Sequence, residues 1–178
     1  MKQRSMIFAL ALAGFAAAVI PTHLTNGFGA HQPGGCTGEM HRQFDFWLGD
    51  WRVSNAEGSF AGTNRVRKIL DGCVLHESWR GAGGLTGQSF NIYESSSDRW
   101  HQTWVDSHGT LLLLSGALKA GKMILEGETA ASGPGIVFER ITWTPLGPDR
   151  VRQLWEASSD SGSSWTVRFD GLYERTGN

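Results

Sequence analysis

Eight tryptophans fall between Trp47 and Trp165 of this 178-residue chain. Most sit where apolar and polar residues alternate, as in the runs 100–105, 143–144, 153–155 and 165–167. A period of two sends every second side chain to one face of a β-strand. Bulky flat rings repeated on such faces need a thick core or an enclosed space, which points to a curved sheet wrapped around aromatic residues.

Turn signals punctuate the alternating runs. Strand-like segments are expected at 46–53, 63–70, 74–80, 87–93, 100–105, 111–117, 123–128, 136–144, 151–157 and 165–173. Asp71-Gly72 is a hairpin dipeptide, and 81–84, 95–98, 106–109 and 120–122 carry the Gly, Ser and Asp of tight turns. No segment of useful length has a helical period beyond the N-terminal region. The fold class expected is all-β: about ten antiparallel strands in an up-and-down meander, closed into a barrel. Closure removes the exposed edges that a flat sheet of that width would have to protect. A two-sheet sandwich is the alternative, but short sequential connections leave few crossovers for a Greek key.

The first residues read as an export signal. Lys2 and Arg4 precede an apolar stretch over 6–20, and Pro21 ends it. That stretch is shorter than the roughly 20 residues of a spanning helix. The organisation expected is a signal peptide and leader over 1–30, a flexible Gly/Pro/His-rich leader over 31–43, and one barrel domain over 44–176. The mature chain would have no transmembrane span, an uncleaved N-terminal anchor being the alternative. Without Lys2 and Arg4, 14 of the 16 basic residues remain against 17 acidic ones, with no basic run to follow phosphates. Nucleic acid is therefore not an expected partner. Cys36 and Cys73 are the two cysteines, and an oxidising compartment permits one disulfide between them.

Phe44-Asp45-Phe46-Trp47-Leu48-Gly49-Asp50-Trp51 contains Gly49-x-Trp51 at the first strand. It resembles the signature that opens lipocalin-like (calycin) barrels, in which the tryptophan plugs one end. Further blocks lie at 70–73 (Leu-Asp-Gly-Cys), 100–106 (Trp-His-Gln-Thr-Trp-Val-Asp) and 152–156 (Arg-Gln-Leu-Trp-Glu). With them the chain is similar, over 44–175, to a family of exported bacterial proteins of unknown function with a lipocalin-like barrel. The resemblance implies a fold and a periplasmic or secreted location. It implies no activity and no catalytic residues.

An internal echo lies 51 residues apart: Arg99-x-x-Gln102-x-Trp104-x-x-Ser107 and Arg150-x-x-Gln153-x-Trp155-x-x-Ser158. In each copy the glutamine and tryptophan share a strand face. Glutamines in a dry core are costly unless hydrogen-bonded, so they fit a polar-aromatic cavity, with hairpin convergence as the alternative. Ser158-x-Asp160-x-Gly162-x-x-Trp165 matches the Asp-box, whose side chains cap a hairpin turn.

Glu77 alternates with Trp79, and Asn91 lies on the next strand. Asp106 follows Trp104 on one face, while Arg140, Arg152 and Glu156 lie on late strands. A carboxylate paired with an arginine inside the barrel could hold a polar head group or act as acid or base. The six histidines gather no zinc or haem set, Gly-x-Ser-x-Gly is absent, and the glycines at 81–84 precede no helix. No cofactor and no metal are expected.

The function expected is binding of a small apolar or aromatic ligand. The expected lining is Trp79, Asn91, Gln102, Trp104, Trp143, Gln153 and Trp155, with Glu77 and Arg152 for the head group. The alternatives are an isomerase, cyclase or hydrolase using a buried carboxylate, and an envelope-associated barrel with a filled core.

Overall fold

The computed structural model describes residues 35–131 and 133–177. The expected signal peptide and the first part of the leader lie outside them.

Ten antiparallel strands form a closed barrel in simple up-and-down order. They are β1 (Gly49–Asn55), β2 (Phe60–Ile69), β3 (Val74–Gly81), β4 (Thr86–Glu94), β5 (Arg99–Asp106), β6 (Leu111–Lys119), β7 (Lys122–Ala130), β8 (Ile136–Gly147), β9 (Arg150–Ser158) and β10 (Thr166–Arg175). The seam closes where β1 pairs with β10, for example Val53 opposite Tyr173. The alternation is plainest in β4, where Gly87, Ser89, Asn91 and Tyr93 are buried and the residues between them exposed.

Two connections show how turn chemistry sets the register. Between β6 and β7 only Ala120 and Gly121 intervene, both at positive φ (49° and 76°), as a two-residue hairpin of matching twist requires. The Asp71-Gly72 signal instead sits in a four-residue link over 70–73, because β2 ends at Ile69 and β3 begins at Val74. The first strand also starts later than expected. Asp45–Trp47 forms a 3-10 turn, so Phe46 to Leu48 belong to a plug rather than to the sheet.

That plug fills one end of the barrel. Phe44 stacks on Trp47 at 5.0 Å between ring centres and meets Trp100 and Trp143 edge-on at 5.7 and 5.2 Å. Trp51 lies beneath, its indole N–H donating to the Trp47 carbonyl at 3.0 Å. Phe44, Trp47, Trp51, Trp100 and Trp143 are all essentially buried. Rings of this size supply most of the burial free energy at such a site.

Of the segment 31–43 expected to be a flexible leader, the described part is anchored. It carries a 3-10 turn at Glu39–Arg42, and the Gln43 side chain accepts from the Trp100 indole at 3.1 Å. A disulfide joins Cys36 to Cys73 in the β2–β3 link, with the Cα atoms 4.9 Å apart. Lys68 adds an ion pair to Asp45 at 2.8 Å. Leader and barrel are thus clamped together at the plugged end. No described helix is long and apolar enough to cross a membrane.

Candidate functional site

At the other end the interior is hollow. A cavity of about 340 Å³ lies between the inner faces of β2, β3, β5, β6, β8, β9 and β10 and reaches the β3–β4 link, at the small end of the roughly 300–1,000 Å³ typical of ligand pockets. Trp79, Trp104, Trp155 and Phe169 contribute the aromatic wall. Leu85, Leu112 and Ile141 add aliphatic surface, and Glu77, Gln102, Gln153 and Tyr173 supply the polar groups.

Glycines seat the rings. A Cβ placed on Gly87 would lie 2.2 Å from the Trp104 ring, and one on Gly171 would lie 2.4 Å from Phe169. Where a strand lacks a side chain, a neighbouring ring can lie flat on its backbone. Trp79 and Phe169 then meet edge to face at 6.1 Å. The Trp155 and Trp104 indole N–H groups are turned to carboxylates, Glu139 at 2.7 Å and Asp106 at 3.4 Å.

The floor is a hydrogen-bonded polar network. Glu77 accepts from the Asn64 amide at 2.8 Å and the Ser89 hydroxyl at 2.6 Å. Ser89 in turn accepts from Asn91 at 2.9 Å, and the Gln102 amide donates to Asn91 at 2.9 Å. The Tyr173 hydroxyl donates to Gln153. Glu77 is 3 % exposed. Burial pushes its carboxyl from 4.5 up to about 7, against the opposing pull of the Ser89 and Asn64 hydrogen bonds. Burial likewise raises the Tyr173 phenol well above its usual value, and the nearby Glu77 charge adds to this.

Six of the nine residues expected at the site line this cavity: Glu77, Trp79, Gln102, Trp104, Gln153 and Trp155. The two echo pairs face each other from β5 and β9, with three strands between them on one side. Asn91 is buried directly behind Gln102 and supports it rather than lining the space. Trp143 points inward at the wrong height, packed in the plug against Trp47 and Phe44.

Arg152 lies outside the barrel. Its guanidinium makes a two-pronged bond to Asp170 at 2.7 and 2.6 Å across the β9–β10 pair. The same alternation that turns Val151 and Gln153 inward turns Arg152 outward, so it cannot serve a head group in the cavity. Arg140 and Glu156 pair on the outer face at 3.1 Å, with Arg140 over the Trp165 ring at 3.8 Å.

Asp106 caps its own turn. Desolvation pushes its carboxyl up, but the Thr110 and His108 amide donors outweigh this and hold it below the usual range. The Asp-box is a turn cap as well: Ser158 Oγ accepts from the Gly162 amide at 2.8 Å, and Asp160 Oδ1 accepts from the Ser164 amide at 2.8 Å.

Among the site residues that the sequence reading omits are Leu85, Leu112, Ile141, Phe169 and Tyr173 of the wall and Asn64 and Ser89 of the floor. Tyr173, Asn64 and Ser89 lie in phase with inward neighbours, namely Gly171, Val66 and Asn91, and that signal could have found them. Phe169 is in phase with Gly171 and Tyr173 too, so the same signal reaches it. The register shift lies before it, between Val167 and Phe169, where Arg168 is the extra residue and Val167 is left exposed. Neither protein-family models nor curated proteins give a match for this chain.

Proposed function

We propose that this protein binds a small, mainly apolar or aromatic molecule in the open half of its barrel. The observation that carries the reading is the asymmetry of the interior. One end is packed solid with indole and phenyl rings, while at the other end four aromatic side chains frame a space instead of filling it. A barrel serving only as a structural element would gain from closing that space, since voids forfeit dispersion contacts. The volume suits a compound of one or two rings rather than a long acyl chain.

The apolar stretch over 6–20 and the Cys36–Cys73 disulfide support export into an oxidising compartment, periplasmic or secreted, of a bacterial cell. The Gly49-x-Trp51 plug supports kinship with exported lipocalin-like barrels.

Tryptophan fluorescence during titration with one- and two-ring aromatics and terpenoid-like compounds tests the reading. Saturable quenching or a blue shift at micromolar ligand, lost in Trp104→Ala and Trp155→Ala, is the expected result. An unchanged spectrum across a broad set of compounds refutes it.

Glu77 favours a second reading. A carboxyl poised near neutrality beside a cavity can act as a general acid or base, as an isomerase, cyclase or hydrolase would need. Mass spectrometry of compounds recovered from protein purified from its own cells separates the two. Recovery of an unaltered molecule supports binding, and conversion on re-incubation, lost in Glu77→Gln, supports catalysis.

A further inference from the structure

The buried charged groups of this barrel all have one sign. Among the described residues the buried charged side chains are Glu77 and Glu139, and no lysine, arginine or histidine is buried. Glu139 accepts from the Trp155 indole at 2.7 Å and the Thr129 hydroxyl at 3.0 Å. Among the described residues Glu77 accepts from Asn64 and Ser89 alone, and its charge raises the nearby Tyr173 phenol. Among the described residues the one cationic side chain lining the cavity is Arg168, exposed at the rim.

The hydrogen-bonding sense of the floor is equally one-sided. A carboxylate has about four lone-pair sites, and Glu77 uses two of them. Gln102 commits its amide nitrogen to Asn91 at 2.9 Å and Ser89 at 3.3 Å, leaving its carbonyl oxygen buried without a partner. The deepest polar side chains lining the space thus offer acceptors, and a buried acceptor left unmatched is destabilising. Above them stand ring faces, which carry negative potential and attract cations.

We infer that the ligand is a small organic amine, bound with its ammonium group inward against Glu77 and Gln102 and its apolar body between Trp79, Trp104, Trp155 and Phe169. This inference rests on the binding reading above and adds the head-group chemistry and the direction of entry. An ammonium supplies the donors that Gln102 lacks and a charge opposite to that of the buried Glu77 carboxylate. A carboxylic acid would enter against both.

Calorimetry at pH 8 with three compounds of one shape provides the test: 2-phenylethylamine, 2-phenylethanol and phenylacetate, with ethylbenzene as the headless control. The amine is expected to bind tightest, by about tenfold over the alcohol, as a charge-assisted bond implies. Phenylacetate is expected to bind weakest. Glu77→Gln should erase the advantage of the amine over 2-phenylethanol.

A measurement on the unaltered protein guards against a variant that fails to fold. At pH 6 the Glu77 carboxyl, titrating near 7, is mostly protonated, so amine binding should release close to one proton, read from the buffer dependence of the enthalpy. Equal affinities for amine and alcohol, tightest binding by the acid, or no proton release would overturn the amine assignment and leave the cavity reading standing. No binding by any of the four compounds would remove the cavity reading itself.

Discussion

Replacing Glu77 by glutamine should make the protein more stable at neutral pH and change its response to acid. In the folded chain burial lifts this carboxyl to about 7, whereas in the unfolded chain it ionises near 4.5. Below 4.5 both states hold the proton and the group is neutral to folding. Between 4.5 and 7 the unfolded state gives up its proton while the folded state keeps it, so stability falls as pH rises. Above 7 both are ionised and the loss is complete. A displacement of that size corresponds to about 3 kcal/mol.

Glutamine keeps a carbonyl for the Asn64 or Ser89 donor and never ionises. The comparison is therefore the urea-derived stability of each protein from pH 4.5 to 8. The variant should gain on the wild type by about 3 kcal/mol across that range and level off above pH 7. A difference that stays flat, or that shrinks as pH rises, would show that Glu77 is not held in a dry, cation-free setting.

Gly87→Ala would drive a methyl group to within 2.2 Å of the Trp104 ring, so stability should fall by about 1–3 kcal/mol and any ligand response should weaken with it. Gly83→Ala, with nothing within 4 Å of the added carbon, is the control and should melt with the wild type. Breaking the Cys36–Cys73 bridge, by reductant or by paired serine substitutions, should cost about 3–4 kcal/mol for a loop of this length, measured by urea unfolding. Trp47→Ala should remove about 3–5 kcal/mol by opening a hole in the plug, while the far cavity keeps its ligand response at temperatures where the variant stays folded.

The strands were legible because alternation and turn chemistry agree in nearly every segment, as in 87–93 against the observed Thr86–Glu94. Alternation also placed Glu77, Trp79, Gln102 and Trp104 on inward faces. It reports the face of a strand and not the height along the barrel, which is why Trp143, correctly inward, lies in the plug. Arg152 stands between inward-facing Val151 and Gln153, so the period of two already argued against it. The β10 bulge at Arg168 was hidden because one extra residue reverses the pattern without any marker in composition. The partners of Glu77 come from strands on either side of it, and only the register brings Asn64 and Ser89 to its oxygens.

The seam between β1 and β10 has a consequence for when this molecule becomes competent. Phe169 and Tyr173 belong to the last of the barrel's strands in chain order, and β1 stays an open edge until that strand arrives. A chain shortened by its final dozen residues would lack one wall of the chamber and present two unpaired margins at once. Joining segments so distant in the polypeptide is slow compared with forming local hairpins. Ligand capture should accordingly lag behind the appearance of sheet structure during refolding, waiting on the final closure.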